Sequence, residues 1–356
     1  MNGIKKIDQV DSVYLNLFRG VSAQLVLIGH LLSKYGYMNL YKIPKIQNLG
    51  VLVFFVLSGF LITQTALIKG KSYTLKNYLI DRFSRIYSAF LPALLFVLFI
   101  DCIMHFGNFT YNTKFDFSMA SFFSNVFMLQ SHPIFLQLNI LPFGSARPFW
   151  TVSIEWFYYV FFGLLFFFSL KKSGSLINYA VYFLLFLFCG YVVWYYLDGR
   201  GGGLTYYWFF GFLLAISYNN SIYMKNIYCG TAIVISIVII SYFRYKILNS
   251  NFYDIGLAFL FALLLMSLMK SKNVFNLMAK TSPMTKVAAL LASFSYSLYL
   301  IHFTLIDFFK QLFNFEYKFL EMIFLFIFIN AVSYIFYLCF EKHHLKLRYR
   351  LKEMFA

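Results

Sequence analysis

Long stretches in which nearly every position is apolar, divided by short polar breaks, run through the chain from end to end. They lack the regular alternation of a half-buried strand or a one-faced helix, so each predicts a helix that is apolar all round. At 1.5 Å per residue, about 20 residues cross the roughly 30 Å hydrocarbon core of a bilayer. Ten segments reach or approach that length: about 13–32, 49–68, 86–106, 149–170, 176–197, 204–219, 227–243, 253–269, 287–309 and 320–340. The sixth is the shortest, preceded by a flexible turn at Gly199, Gly201, Gly202 and Gly203 and followed by Asn219 and Asn220. Backbone groups in hydrocarbon must bond within their own segment, which predicts an all-α polytopic bundle of about ten transmembrane helices. No internal repeat or second soluble domain is evident, so residues 1–356 read as one transmembrane domain with no fused extracytoplasmic domain. The longest connection, 107–148, contains MASFFSNVFML, amphipathic but too short to cross. It reads equally as a substrate-facing lid and as packing within a large loop.

Composition strengthens the membrane reading. The chain is 61% hydrophobic and 12% charged, with 48 Phe and 29 Tyr, a profile that excludes an ordinary water-soluble domain. A net charge of +17 raises the question of nucleic acid, but the basic residues are scattered over short loops beside apolar helices. Anionic lipid headgroups are the expected partner, with no nucleic acid involved. Cys102, Cys189, Cys229 and Cys339 lie inside apolar runs without a repeated spacing, which argues against a disulfide framework or a metal site. The polar start MNGIKKIDQVD leads into a segment too long for a cleavable signal core, so the first helix is expected to stay. With the amino terminus inside, 19 of the 30 Lys and Arg fall on that side and 10 on the other, Arg19 being within the first helix. Both termini are therefore expected in the cytoplasm. Nothing in the sequence fixes an oligomeric state.

The first helix also carries the most informative residues. Arg19 and His30, in FRGVSAQLVLIGHLL, are eleven positions apart and project from one face, roughly 16 Å apart along the axis. Ionisable groups in a spanning helix are costly, and a functional reading is the default. In this topology Arg19 lies in the inner half and His30 near the outer end. Trp150 and Glu155 of PFWTVSIEWFYY, and His302 of SYSLYLIH, also fall in the outer half. On the opposite side, DRFSRIY opens the third helix with Arg82 and Arg85, three residues apart and neighbours on its surface. Paired guanidinium forks suit phosphates. A cytoplasmic arginine pair, a deeper arginine and a histidine beyond it match a donor with a charged head and a long thin arm, the shape of an acyl-coenzyme A.

Several blocks together resemble a known family. The arginine-ten-residues-histidine element RGVSAQLVLIGH is followed in order by GVLVFFVLSGFLI, DRFSRIY, FWTVSIEWFYY and FSYSLYLIH. The chain is similar, over about 12–340, to the acyltransferase 3 family of integral membrane O-acyltransferases. The resemblance implies ten core helices in a bacterial cytoplasmic membrane and transfer of an acyl group, commonly acetyl from acetyl-coenzyme A, to hydroxyls of surface carbohydrates. One departure is Ser88, where the family often has proline, with Pro92 four residues later.

Each residue also has a structural reading. His30 is the candidate general base, against an interfacial histidine at a helix end. Arg19 is a candidate for the donor's pyrophosphate or pantetheine arm, or for charge developing on the thioester oxygen, against a snorkelling cation. Arg82 and Arg85 read as donor phosphate ligands or as positive-inside anchors. Glu155 reads as orienting His30 or the acceptor hydroxyl, or as a charge near a helix amino terminus. His302 and Tyr299 line a cavity or serve as buried hydrogen-bonding partners, and Trp150 stacks on a sugar or belongs to the aromatic belt. Asp101 and His105, one turn apart, and the small pair Ser58 and Gly59 read as structural. No metal is expected. The rival to an acyltransferase is a multi-helix transporter of a glycan precursor or small anion, in which the same charges form a substrate or proton path; a structural or sensory bundle is the third reading.

Overall fold

The computed structural model describes residues 4–107, 109, 116–168, 176–198, 201–219, 227–246, 251–270, 283–313 and 315–355. Among them all regular structure is helical, with a single isolated bridge between Asp116 and Phe143. The ten expected segments are helical over their described residues, the ninth as two helices instead of one: α1 (Gln9–Lys34), then the short α2 (Tyr37–Leu40), α3 (Gln47–Lys69), α4 (Leu75–Phe106), and, after the short α5 (Met119–Val126) and α6 (Pro133–Gln137), α7 (Phe149–Phe168) and α8 (Leu176–Tyr195). α9 (Leu204–Asn219), α10 (Ile227–Lys246), α11 (Asn251–Lys270), the pair α12 (Pro283–Ser293) and α13 (Ser295–Leu312), α14 (Lys318–Cys339) and a terminal α15 (His344–Met354) complete the chain. Among the described residues seven helices are long and apolar enough to cross a membrane, or eight if the broken pair α12 and α13 counts as one span. At 16 residues, α9 is about 24 Å long and falls short of that measure.

The third span begins at Leu75, not near 86. The charges of DRFSRIY mark the edge of the apolar run in the sequence, but Thr74 caps the helix by accepting from the Asn77 amide at 3.2 Å. Ion pairs described below let the charged turns continue into the apolar ones, and the helix also runs through Pro92. Outward-facing Leu91, Leu95 and Phe99 form an exposed apolar stripe, as a lipid-facing helix requires.

The chain divides into two compact units. One comprises Met1–Gly70 and Tyr196–Ser295, the other Lys71–Tyr195 and Tyr296–Ala356. In the first, α3 and α9 meet backbone to backbone: a Cβ on Gly59 would lie 2.0 Å from the Trp208 carbonyl oxygen, and one on Gly211 would lie 2.0 Å from that of Val56. Small residues at a helix crossing permit this approach, the role expected for Ser58 and Gly59. Gly201, Gly202 and Gly203 all take positive φ in the turn before α9, while Gly199 and Asn220 lie outside the described residues.

In the second unit α4 is the spine, and the 116–148 connection packs against it as an ordered cap. Buried Asn125 donates to the Leu141 carbonyl at 3.1 Å and accepts from the Phe143 amide at 3.1 Å. Asp101, fully buried on α4, accepts from the Ser145 amide and hydroxyl, each at 2.7 Å. His105 stacks on Phe117 with centroids 5.4 Å apart. These two residues therefore fasten the connection, in keeping with a structural reading. Cys102, Cys189 and Cys339 are free thiols; the Cys229 side chain is outside the description.

Candidate functional site

The residues singled out in the sequence divide between the units. Arg19 and His30 belong to the first, on one uninterrupted helix whose amino end is capped by Asp8 accepting from the Asp11 amide at 2.9 Å. Both side chains are partly buried. Each is flanked by a glycine at which a neighbour touches α1. A Cβ on Gly20 would meet Leu291 Cβ at 2.7 Å, and a Cβ on Gly29 would meet the backbone nitrogen and Oε1 of Gln47, each at 2.7 Å. The backbone is thus clamped beside both polar side chains, which holds them at a fixed separation. Gly20 and Gly29 carry no mark in the sequence beyond standing next to Arg19 and His30.

The remaining candidates, Arg82, Arg85, Trp150, Glu155, Tyr299 and His302, belong to the second unit. Here α4, α7 and α13 line a ladder of polar contacts. Near the start of α13, fully buried Glu341 pairs with Arg85 Nη2 at 2.9 Å and accepts from the Ser297 amide at 3.1 Å and its hydroxyl at 2.8 Å. Tyr296 feels the charges of Glu155, Glu341 and Arg85 together. Glu155 accepts from the Tyr159 hydroxyl one turn along α7, and Tyr159 is in turn an electrostatic neighbour of Arg82. One step further, Tyr299 and Thr151 hydrogen-bond through their hydroxyls. Beyond them lie His302 and then Thr304, whose hydroxyl is 2.7 Å from that of Ser145 on Asp101.

Glu155 is linked to Arg82 through Tyr159, and Tyr296 lies in the electrostatic field of both Glu155 and Arg85. The early start of α4 places Arg82 and Arg85 seven and ten residues inside the helix, roughly 10–15 Å from its first residue. His302 is fully buried and its Nδ1 lies 2.9 Å from the carbonyls of Leu298 and Tyr299 in its own helix, the pattern of a buried hydrogen-bonding partner. Trp150 is partly exposed in the first turn of α7.

Arg82 sits in a box of tyrosines. Its Cζ is 5.8 Å from the Tyr78 ring centroid, the Tyr73 side chain hydrogen-bonds with it, Tyr159 is a further electrostatic neighbour, and the Tyr78 hydroxyl donates to the Tyr159 carbonyl at 2.9 Å. Tyr73, ahead of α4, has its phenol pushed above the ordinary range by burial, so it stays a neutral donor to Asp81 Oδ2 at 2.9 Å. The polar side chains of this ladder not singled out in the sequence are thus Glu341, Tyr159, Tyr296 and Thr151. Thr151, Tyr159, Tyr296 and the Ser297 partner lie inside quoted blocks. Glu341 carried one signal, a lone carboxylate ending an apolar run in LCFEKHH. Among the described residues no three His, Cys, Asp or Glu are placed to hold a metal.

Residues 12–338 match the model of a family described as an acyltransferase domain. An uncharacterized protein of Haemophilus influenzae (strain ATCC 51907 / DSM 11121 / KW20 / Rd) is 32% identical over 124 residues, which are 34% of this chain and 49% of that protein. The chain thus spans about half the length of that relative. No solved structure matches.

Proposed function

Because the chain belongs to the acyltransferase family matched over residues 12–338, we propose that it is a membrane O-acyltransferase. In this reading it transfers acetyl from cytoplasmic acetyl-coenzyme A to a hydroxyl of a lipid-linked or surface polysaccharide of a bacterial envelope. The observation that carries the proposal is a partly buried cation among apolar helices beside a tyrosine whose hydroxyl is given to a carboxylate, namely Arg82, Tyr159 and Glu155. Groups of this kind are costly in lipid and are retained where charge has to be met.

His30 takes the proton from the acceptor hydroxyl as its oxygen attacks the thioester carbonyl. The carbon–oxygen bond forms, the carbon–sulfur bond breaks, and the coenzyme A thiolate leaves with a proton returned from the imidazolium. Arg19 stabilises the negative charge that builds on the carbonyl oxygen, and the clamped backbone at Gly20 and Gly29 keeps both groups in place. The charged first turns of α4 receive the donor's phosphates, with both chain termini on that cytoplasmic side. Glu155 orients the acceptor, and Tyr299 and Trp150 line its path. The scheme calls for no metal. Incubating purified protein with labelled acetyl-coenzyme A and glycan tests it. Label covalently on glycan is expected, whereas movement of intact glycan or anion across proteoliposomes without transfer supports a carrier instead.

A further inference from the structure

We propose that the two arginines of DRFSRIY have different tasks: Arg82 meets a phosphate of the donor, and Arg85 is a positioning residue committed to Glu341. The inference rests on the donor reading above and deepens it. In sequence the two are equivalent, three residues apart on one helix surface. Their surroundings are not. Arg85 Nη2 lies 2.9 Å from a carboxylate that is wholly buried and whose other oxygen is held by the amide and hydroxyl of Ser297. That node joins α4 to the start of α13 and to the end of α14, and it neutralises the Arg85 charge in place.

Among the described residues Arg82 has no carboxylate of its own. The adjacent Asp81 lends it some field, but the Asp81 oxygens are occupied by the Tyr73 hydroxyl at 2.9 Å, Lys352 Nζ at 3.3 Å and Arg348 Nε at 3.6 Å. Around Arg82 stand Tyr73, Tyr78 and Tyr159, whose phenolic hydrogens are given to Asp81, the Tyr159 carbonyl and Glu155. They offer oxygen lone pairs and ring faces but no charge. The guanidinium hydrogen-bonds with the neutral Tyr73 side chain, but its Nε is buried without a hydrogen-bond partner among the described residues, while the residue as a whole keeps some exposure. A guanidinium held this way is preorganised for an anion arriving from outside, and a phosphate supplies both the charge and the acceptor oxygens. Coenzyme A and an anionic lipid headgroup share that chemistry; the long tethered thioester of the proposed reaction selects coenzyme A.

The test titrates coenzyme A into the full-length protein in neutral detergent and records the melting temperature of each variant. Arg82→Gln is expected to weaken coenzyme A at least about tenfold with the melting temperature nearly unchanged. Arg85→Gln and Glu341→Gln are each expected to lower the melting temperature, with the double variant no lower than the worse single. Arg85→Lys, which keeps the pair and folds if Arg85→Gln does not, is expected to bind coenzyme A as the parent does. Equal loss of affinity in Arg82→Gln and Arg85→Lys at parental melting temperature overturns the division of tasks and leaves the donor site standing. Parental affinity in both overturns the donor site itself. If Arg82→Gln loses retention of phosphatidylglycerol but not of coenzyme A, the anion is a lipid and the proposal fails.

Discussion

At the scale of single residues, His132 shows how a neutral imidazole can be written into the fold. It caps α6, with Nδ1 3.3 Å from the Ile134 amide and Nε2 3.0 Å from the Phe188 carbonyl, and its ring stacks on Phe188 at 3.9 Å. An amide donor at Nδ1 and a carbonyl acceptor at Nε2 fix the tautomer with the proton on Nε2. Burial holds its pKa below the ordinary histidine value, outweighing the carbonyl at Phe188. Protonation would turn Nδ1 into a second donor facing an amide. Since the unfolded chain gains a proton near pH 6.5 and the folded one only lower, stability is full above about 6.5 and declines as pH falls toward the folded pKa. Melting temperatures at pH 7.5 and pH 5 are expected to drop less for His132→Gln than for the parent; an equal drop would assign the acid sensitivity to other groups.

Residue chemistry was also where the sequence was most legible for some groups and silent for others. Arg19, His30, Arg82, Arg85 and Glu155 stand out because a charge inside an apolar run is rare, and each can be seen without a partner. Tyr159 and Tyr296 could not stand out in a chain with 29 tyrosines. Tyr159 joins Glu155 of its own helix to Arg82 of α4, and Tyr296 lies in the field of Glu155, Glu341 and Arg85, neither of which a local pattern encodes.

At the scale of elements, helix existence followed from apolar length alone, and helix ends did not. The start of α4 was hidden because its first turns carry the charges that usually close a span, and those charges are compensated by Glu341 near the end of the chain and by Arg348 and Lys352 of α15. Truncating Arg348 and Lys352 to Ala together is expected to cost about 1 kcal/mol, because both are partly exposed and screened. A loss several times larger in chemical or thermal unfolding would show that α15 does more than lie on α4. The crossing of α3 and α9 is a stiffer feature. Gly59→Ala puts a methyl 2.0 Å from a backbone oxygen and is expected to cost about 1–3 kcal/mol. Gly230→Ala, whose methyl would meet Ser267 Oγ at an ordinary 3.4 Å, is expected to be near neutral or to stabilise slightly. Equal melting temperatures for the two variants would contradict the close approach.

At the scale of the whole molecule, the order of apolar segments reads directly as a bundle, but its grouping does not. Each compact unit is assembled from two distant stretches of chain, so the split follows contacts and leaves no compositional boundary. The proposed chemistry depends on what each unit presents. One carries an arginine and an imidazole on a clamped helix, the other a cation, a carboxylate and hydroxyls on a polar ladder. The measurement that bears most directly on this account is acetyl transfer by purified full-length protein, comparing the parent with His30→Ala of matched melting temperature. The account predicts labelled acetate on the glycan with the parent and none with His30→Ala. Transfer by His30→Ala at the parental rate would contradict it.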